Sequence, residues 1–307
     1  MALRITKAAD PIKVERLNVV IYAQPGIGKT SVAFTAHNPL LLDFDNGSYR
    51  AVNRKDTVQI NSWEDVAGIT AEDLEPYSTV VMDTAGRALD VLTEHLLRNP
   101  KNAVKGGGKL SIQGYGALKS EFTGFCKRLN QFGKDVILVA HMDEQKDGDE
   151  IRERLDVTGG SKGEIYKTAD MMGRLVMVNG KRELRFSPSD TAFGKNPGQL
   201  EPVAVPDHTD PAYADLMAGI LNRTKERLND LTEAQREAME EQNWFREALP
   251  KVEDVDGING LLDRAKAGGT ACKALVANRA KLLGLIFDQK AGQYVMPEIE
   301  DGDREAA

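Results

Sequence analysis

Residues 18–31 read Asn-Val-Val-Ile-Tyr-Ala-Gln-Pro-Gly-Ile-Gly-Lys-Thr-Ser. An apolar run with β-branched residues enters a Pro/Gly turn, and Lys29-Thr30 then open Ser31-Val-Ala-Phe-Thr-Ala, which reads as a helix. Strand, loop and helix are the context in which Ala23-x-x-x-x-Gly28-Lys29-Thr30 becomes a phosphate-binding loop. Alanine replaces the usual first glycine, which is tolerable because that position asks for a small residue more than for a positive φ. Gly26 and Gly28 let the backbone curl. The N–H groups of Gly26, Ile27, Gly28, Lys29, Thr30 and Ser31 would then face one concavity at the positive end of the helix. Lys29 would reach the β- and γ-phosphate oxygens, and the Thr30 hydroxyl would hold Mg²⁺. The competing reading, a chance glycine-rich turn, has the flanking strand and helix against it.

Two later strands supply partners for such a loop. Leu40-Leu41-Leu42-Asp43-Phe44-Asp45 is a buried-type strand that runs into two acids and a turn. In an open parallel sheet, groups just past a strand's carboxyl end face the ligand crevice. Asp43 and Asp45 are therefore candidates for chemistry, or else turn acids that bond their own backbone. Ser78-Thr-Val-Val-Met-Asp83-Thr84 follows the loop by about fifty residues. A β-rich run ending in one Asp at that separation supplies the carboxylate that orients Mg²⁺ through its water. Asp83-Thr-Ala-Gly86 also has the Asp-x-x-Gly form of GTPases, but no Asn-Lys-x-Asp guanine reader follows, which favours ATP.

Asp135-Val-Ile-Leu-Val-Ala-His141 is the next buried strand. His141 at its end would sense the γ-phosphate by hydrogen bonding, against the plain alternative of a satisfied structural group. Between these strands, residues 98–116 carry Arg98, Lys101, Lys105 and Lys109, a glycine triplet and Tyr115, without an acid. Such a segment can follow a phosphodiester backbone while Tyr115 stacks a base; a flexible solvated linker is the alternative. Residues 117–132 read as a helix with Leu118, Phe122, Phe125 and Leu129 on one face. Residues 142–163 read as a polar, mobile stretch. Leu175 to Phe186 around Asn179-Gly180 is a hairpin, with Lys181, Arg182, Arg185 and Lys195 making that end basic.

A net charge of −7 argues against coating nucleic acid by bulk charge, so any DNA contact must use a local basic patch. Two cysteines, Cys126 and Cys272, are too few for a disulfide scaffold or zinc site and suit a reducing cytoplasm. No run approaches a membrane span, and no apolar leader is expected at the start. The domain expectation is a core over 1–205, a linker and helix over 206–230, a helical module over 231–297 and an acidic disordered tail over 298–307. Thr232-Glu-Ala-Gln235 reads as a capping box. Phe245-Arg-Glu-Ala248 has the Phe-x-x-Ala form by which some recombinases polymerise, at the far end of the chain.

The ordered set of phosphate loop, Asp43-x-Asp45, Asp83-Thr84 and His141 resembles the RecA-like P-loop ATPase core. More narrowly it resembles phage-encoded RecA-like ATPases, classed among AAA-domain ATP-binding proteins, that act as single-strand annealing recombinases. The resemblance covers about residues 15–200. It implies an α/β fold with a mostly parallel central sheet, to which the chain's own pattern adds a small C-terminal helical module. It places Asp45 where the family has its catalytic acid and His141 at the γ-phosphate sensor, with Lys29 and Asp83 completing the catalytic set. It also places single-stranded DNA at the loops after Asp83 and His141. Implied partners are single-stranded DNA, other copies of the chain and a single-strand binding or replication protein. Two other readings stay open: a P-loop ATPase that loads or remodels a replication protein, and a nucleotide-dependent binding module with little turnover.

Overall fold

Continuous burial of the central strands decides the architecture. In β1 (Asn18–Ala23), Val20 and Tyr22 enter one core cluster while Val19, Ile21 and Ala23 enter another. A strand apolar on both faces must be covered on both, which calls for parallel strands with crossover helices. The computed structural model describes residues 12–104, 107–147, 150–157 and 161–297. In chain order, α1 (Lys29–Ala33), β2 (Pro39–Asp43), β3 (Thr57–Gln59), α2 (Glu64–Ala67), β4 (Thr79–Asp83), α3 (Ala85–Leu97) and α4 (Ile112–Gln131) follow β1. Then come β5 (Asp135–Asp147), β6 (Glu150–Leu155), α5 (Ser161–Thr168), β7 (Met171–Val178), β8 (Lys181–Arg185), β9 (Val203–Val205) and α6 (Leu216–Ala248). Among the described residues the strand order is β3-β2-β4-β5-β1-β7-β8-β9, with β6 paired to β5. Pairs from β3 through β7 are parallel and the β8 and β9 pairs antiparallel. The fold is thus α/β with a mostly parallel sheet, followed by C-terminal helices.

Register carries the site. Asp43 pairs with Asp83, and Ala23 with His141, so the acids and the imidazole emerge at the same edge as the glycine-rich turn. Beyond β2, the N–H groups of Phe44 and Asp45 donate to the Asp83 carbonyl at 2.7 and 3.2 Å, which holds Asp45 beside the β4 end. At the opposite edge, buried Asp135 accepts from the Leu17 N–H at 2.8 Å and from Lys225 Nζ at 2.6 Å. Removing one partner of such an enclosed pair leaves the other stranded, so Asp135 ties β1, β5 and α6 together.

Three segments differ from their sequence reading. The stretch after His141 forms a β5–β6 hairpin, in which Asp143 faces Arg154 and Leu155 is buried. The Asp143–Arg154 pair and the apolar Met142–Leu155 pair suit that pairing, while Glu144 opposite Glu153 works against it. Residues 101–104 and 107–115 are not an open linker: Ala103 bridges Leu110, and Ser111 Oγ accepts from the Gly114 N–H to start α4. Thr232 caps no helix; α6 passes through it, its hydroxyl donating to the Asn229 carbonyl at 2.8 Å. Residues 225–242 hold no glycine or proline, so nothing stops the helix there.

Val14–Leu228 forms one compact unit and the residues from Asn229 belong to a second. Residues 206–230 divide at that boundary, with Met217, Ile220 and Leu221 buried in the core's second cluster. In the second unit, α7 (Val255–Gly260), α8 (Leu262–Ala267) and α9 (Gly269–Leu282) pack with Phe245 and Leu249. β10 (Ile286–Asp288) and β11 (Gln293–Val295) form an antiparallel hairpin. Phe245 is fully buried, so its side chain is engaged in this core rather than offered to another copy. The expected acidic tail lies outside the described residues.

Candidate functional site

The turn between β1 and α1 closes on two left-handed glycines, Gly26 at φ 79° and Gly28 at φ 100°. That conformation turns successive amides inward, and Gly28 is the N-cap of α1. A Cβ at Gly28 would also lie 2.8 Å from Arg182 Nη1, so the β8 arginine sits against the loop backbone. Arg182 is fixed there by the Pro206 carbonyl at 3.2 Å. Gly28→Ala meets both obstacles. It is expected to lose about 1–3 kcal/mol of stability through backbone strain and to bind nucleotide at least about tenfold more weakly, checked by thermal unfolding and nucleotide titration.

Lys29 is buried, and its Nζ donates to the Gln24 and Ala23 carbonyls at 2.9 and 3.2 Å, with His141 Nδ1 at 3.4 Å. Burial lowers its pKa, while Asp83 and Asp45 favour the charged form. Thr30 Oγ1 donates to Asp83 Oδ2 at 2.5 Å. Burial raises the Asp83 pKa to about 6, opposed by the Thr30 hydrogen bond and helped by the negative charge of Asp43. His141 is held below its usual range by burial and then by the Lys29 charge. Imidazole therefore stays neutral beside a cation, free to exchange hydrogen bonds.

The two acids after β2 part company. Asp43 is buried and accepts from the Ser48 and Gly47 N–H groups at 2.9 and 3.2 Å, which is the turn-forming role. Asp45 remains accessible and reaches the cavity, flanked by Arg87 Nε at 3.4 Å and Arg50 Nη2 at 3.6 Å. Ser31 contributes its backbone, since its hydroxyl accepts from the Val52 N–H at 3.0 Å. A cavity of about 510 Å³ joins Gly28, Lys29, Thr30, Asp45, Asp83 and His141. Its size falls in the range of small-molecule sites. A wider cleft of about 1200 Å³ adjoins Pro25–Ile27 on the side of the β7–β8 hairpin.

Hard oxygen donors fit Mg²⁺, which takes one or two protein ligands and completes its shell with water and phosphate. Thr30 and Asp83, already in contact, are the residues that would hold it. Among the described residues no group of three or more His, Cys, Asp or Glu could hold a metal by itself.

Residues 15–197 match the AAA-domain family, well over half of the 307 residues. The chain belongs to the AAA-domain family. Membership makes it an AAA-type P-loop ATPase, and the loop that carries Lys29 lies within the matched residues. Comparison with curated proteins gave no match. Among solved structures, the chain is similar to a KaiC-like protein from the hyperthermophilic archaeon Pyrococcus horikoshii OT3. That likeness has 13% identity and a TM-score of 0.31, covering 55% of this chain and 76% of the other. At that score no residue role is carried across.

Sequence reading did not single out Arg50 or Arg87. Both signals were present: Arg87 is four residues past Asp83 on the first turn of α3, and Arg50 is five past Asp45 in a 3₁₀ turn. A first helical turn brings a long side chain back over the strand end it follows. Of the basic hairpin residues, Lys195 donates to the Ala169 carbonyl at 2.6 Å and Arg185 pairs with Glu183, so neither faces the loop. Lys101 and Lys109 are exposed; Lys105 lies outside the described residues. Tyr115 stands on the first turn of α4, 47% exposed, beside Ile112 at 93%. Among the described residues, no helix is long and apolar enough to cross a membrane.

Proposed function

We propose that this AAA-type ATPase hydrolyses ATP with Mg²⁺, binds single-stranded DNA as a homo-oligomer, and promotes annealing or homologous pairing of the kind used in phage recombination. The observation that carries the enzymatic part is the convergence of Lys29, Thr30, Asp83, Asp45 and His141 on one cavity at the mouth of the loop. The loop amides and Lys29 would bind the β- and γ-phosphates. Asp45 would accept the proton of a water that attacks the γ-phosphorus in line as the β–γ bridging P–O bond breaks and its electrons pass to ADP. Bound Mg²⁺ supplies charge neutralisation on the phosphate oxygens. His141, neutral and in contact with Lys29, would report whether the γ-phosphate is present.

The DNA part rests on the exposed Lys101, Lys109, Ile112 and Tyr115. The Asn102 carbonyl accepts from the Ser111 N–H at 2.7 Å and thereby draws their two ends together. Cations with an adjacent aromatic suit a single strand. Steady-state hydrolysis with and without single-stranded DNA tests it: stimulation is expected to be several-fold and to vanish at higher salt. Lys101→Ala/Lys109→Ala should weaken DNA binding uniformly across sequences and lower the salt slope by about 1.4, at about 0.7 for each phosphate that is no longer neutralised. Hydrolysis that ignores DNA would sink this reading.

A second reading has an observation of its own. In the C-terminal unit Leu282, Ile286, Phe287 and Met296 are all exposed apolar side chains. Exposed apolar side chains so near in sequence suit a protein partner, as an ATPase that loads or remodels a replication protein would need. Stimulation by a protein, with none by DNA, would favour it.

A further inference from the structure

Asp45 has two guanidinium partners. Arg87 Nε and Arg50 Nη2 stand on its two carboxylate oxygens at 3.4 and 3.6 Å, and Arg87 Nη1 also approaches Asp90 at 3.4 Å. These are long, single-contact pairs rather than the two-pronged fork that makes arginine–carboxylate pairs strong. Both guanidinium side chains are about 60% exposed, at 62% and 61%. Pairs of that kind are worth at most about 1 kcal/mol and part easily.

The backbone nevertheless shapes the arrangement. A Cβ at Gly47 would overlap Arg50 Nη2, so a side chain there would push Arg50 away from Asp45. Arg87 lies near enough to His141 to disfavour its protonated form. Both arginines line the same cavity as Lys29, Thr30 and Asp83. The cavity's full charges are then three cations, Lys29, Arg50 and Arg87, against Asp45 and Asp83. A γ-phosphate offers a guanidinium several acceptor oxygens and more charge than one carboxylate.

We infer that Arg50 and Arg87 are γ-phosphate-binding residues supplied by the same chain, held on Asp45 until ATP draws them off. One exchange does two things. It sets two cations on the phosphoryl group that is transferred, and it frees the Asp45 carboxylate to take a proton from water. ADP lacks the γ-phosphate and leaves Asp45 paired, so the site discriminates ATP from ADP through these residues. This rests on the phosphate-loop reading above, and it is independent of DNA.

The test is titration of fluorescent ATP and ADP analogues against wild type, Arg50→Ala/Arg87→Ala, Asp45→Asn and the triple variant. The double variant should lose about tenfold or more in ATP affinity while ADP affinity changes less than about twofold. Asp45→Asn should raise ATP affinity about two- to fivefold relative to ADP, because it releases the arginines. That gain should vanish when the arginines are already gone. Equal losses for ATP and ADP in the double variant, or a gain from Asp45→Asn that survives in the triple variant, overturns the inference and leaves the phosphate-loop reading standing. A wild type that binds neither nucleotide overturns both.

Discussion

In Lys29→Ala, ATP turnover falls by about 10²–10³-fold, the scale on which a preorganised charge at a transferring group acts. The wild-type lysine costs the protein something in advance. It is buried at 5% exposure, its ammonium held between two backbone carbonyls and His141. That enclosure lowers its pKa, and the nearby Asp83 and Asp45 charges keep it ionised. A cation placed that way needs little rearrangement to meet phosphate, which is why its removal is felt in the transition state and not only in binding. Single-turnover hydrolysis and nucleotide titration separate the two. Alanine should weaken ATP binding by about tenfold or more and slow the chemical step further. An unchanged single-turnover rate would remove Lys29 from the site.

Asp83→Asn has effects of opposite sign on function and on the apo fold. Function is lost, because Thr30 and Asp83 together form the hard-oxygen pair suited to Mg²⁺. Stability follows from the raised pKa. The Asp83 carboxyl titrates near 6 when folded against 3.8 unfolded. A group with a raised folded pKa contributes its full stability below about 4 and loses it as pH rises through about 6. Above that, the buried carboxylate works against the fold by roughly 2–3 kcal/mol. Asparagine carries no such charge. In the absence of Mg²⁺ and nucleotide, Asp83→Asn should therefore be more stable than wild type at pH 7.5, with the gap closing as pH falls from about 6 to about 4. Chemical denaturation across that range measures it. A gap that widens toward low pH would show that Asp83 is stabilised as an anion by its neighbours.

Much of this site was legible because phosphate chemistry imposes a local grammar. Loop, strand-end acid and strand-end histidine each occupy a short stretch with its own periodicity, and a parallel sheet places strand ends together. Gly28, Lys29, Thr30, Asp83 and His141 follow from that rule. The hairpin after His141 was less visible, since its strands are mostly polar, with Leu155 buried in the core and Met142 packed partly against it. The helix through Thr232 was missed for a related reason: a capping signature is local, and the absence of any breaker outweighs it.

The sequence by itself determined the α/β class, the phosphate loop and the acids and imidazole at the sheet's carboxyl edge, because alternation and turn chemistry are properties of neighbouring residues. Only the tertiary structure decided which acid turns inward to cap a turn and which stays in the cavity. Asp43 and Asp45 are two residues apart and carry the same side chain. The Gly47 and Ser48 amides take the first, and Arg50 and Arg87 reach the second. The two arginines arrive from separate turns, so their meeting over one carboxylate depends on the packing of β2 beside β4, which no single stretch of chain encodes.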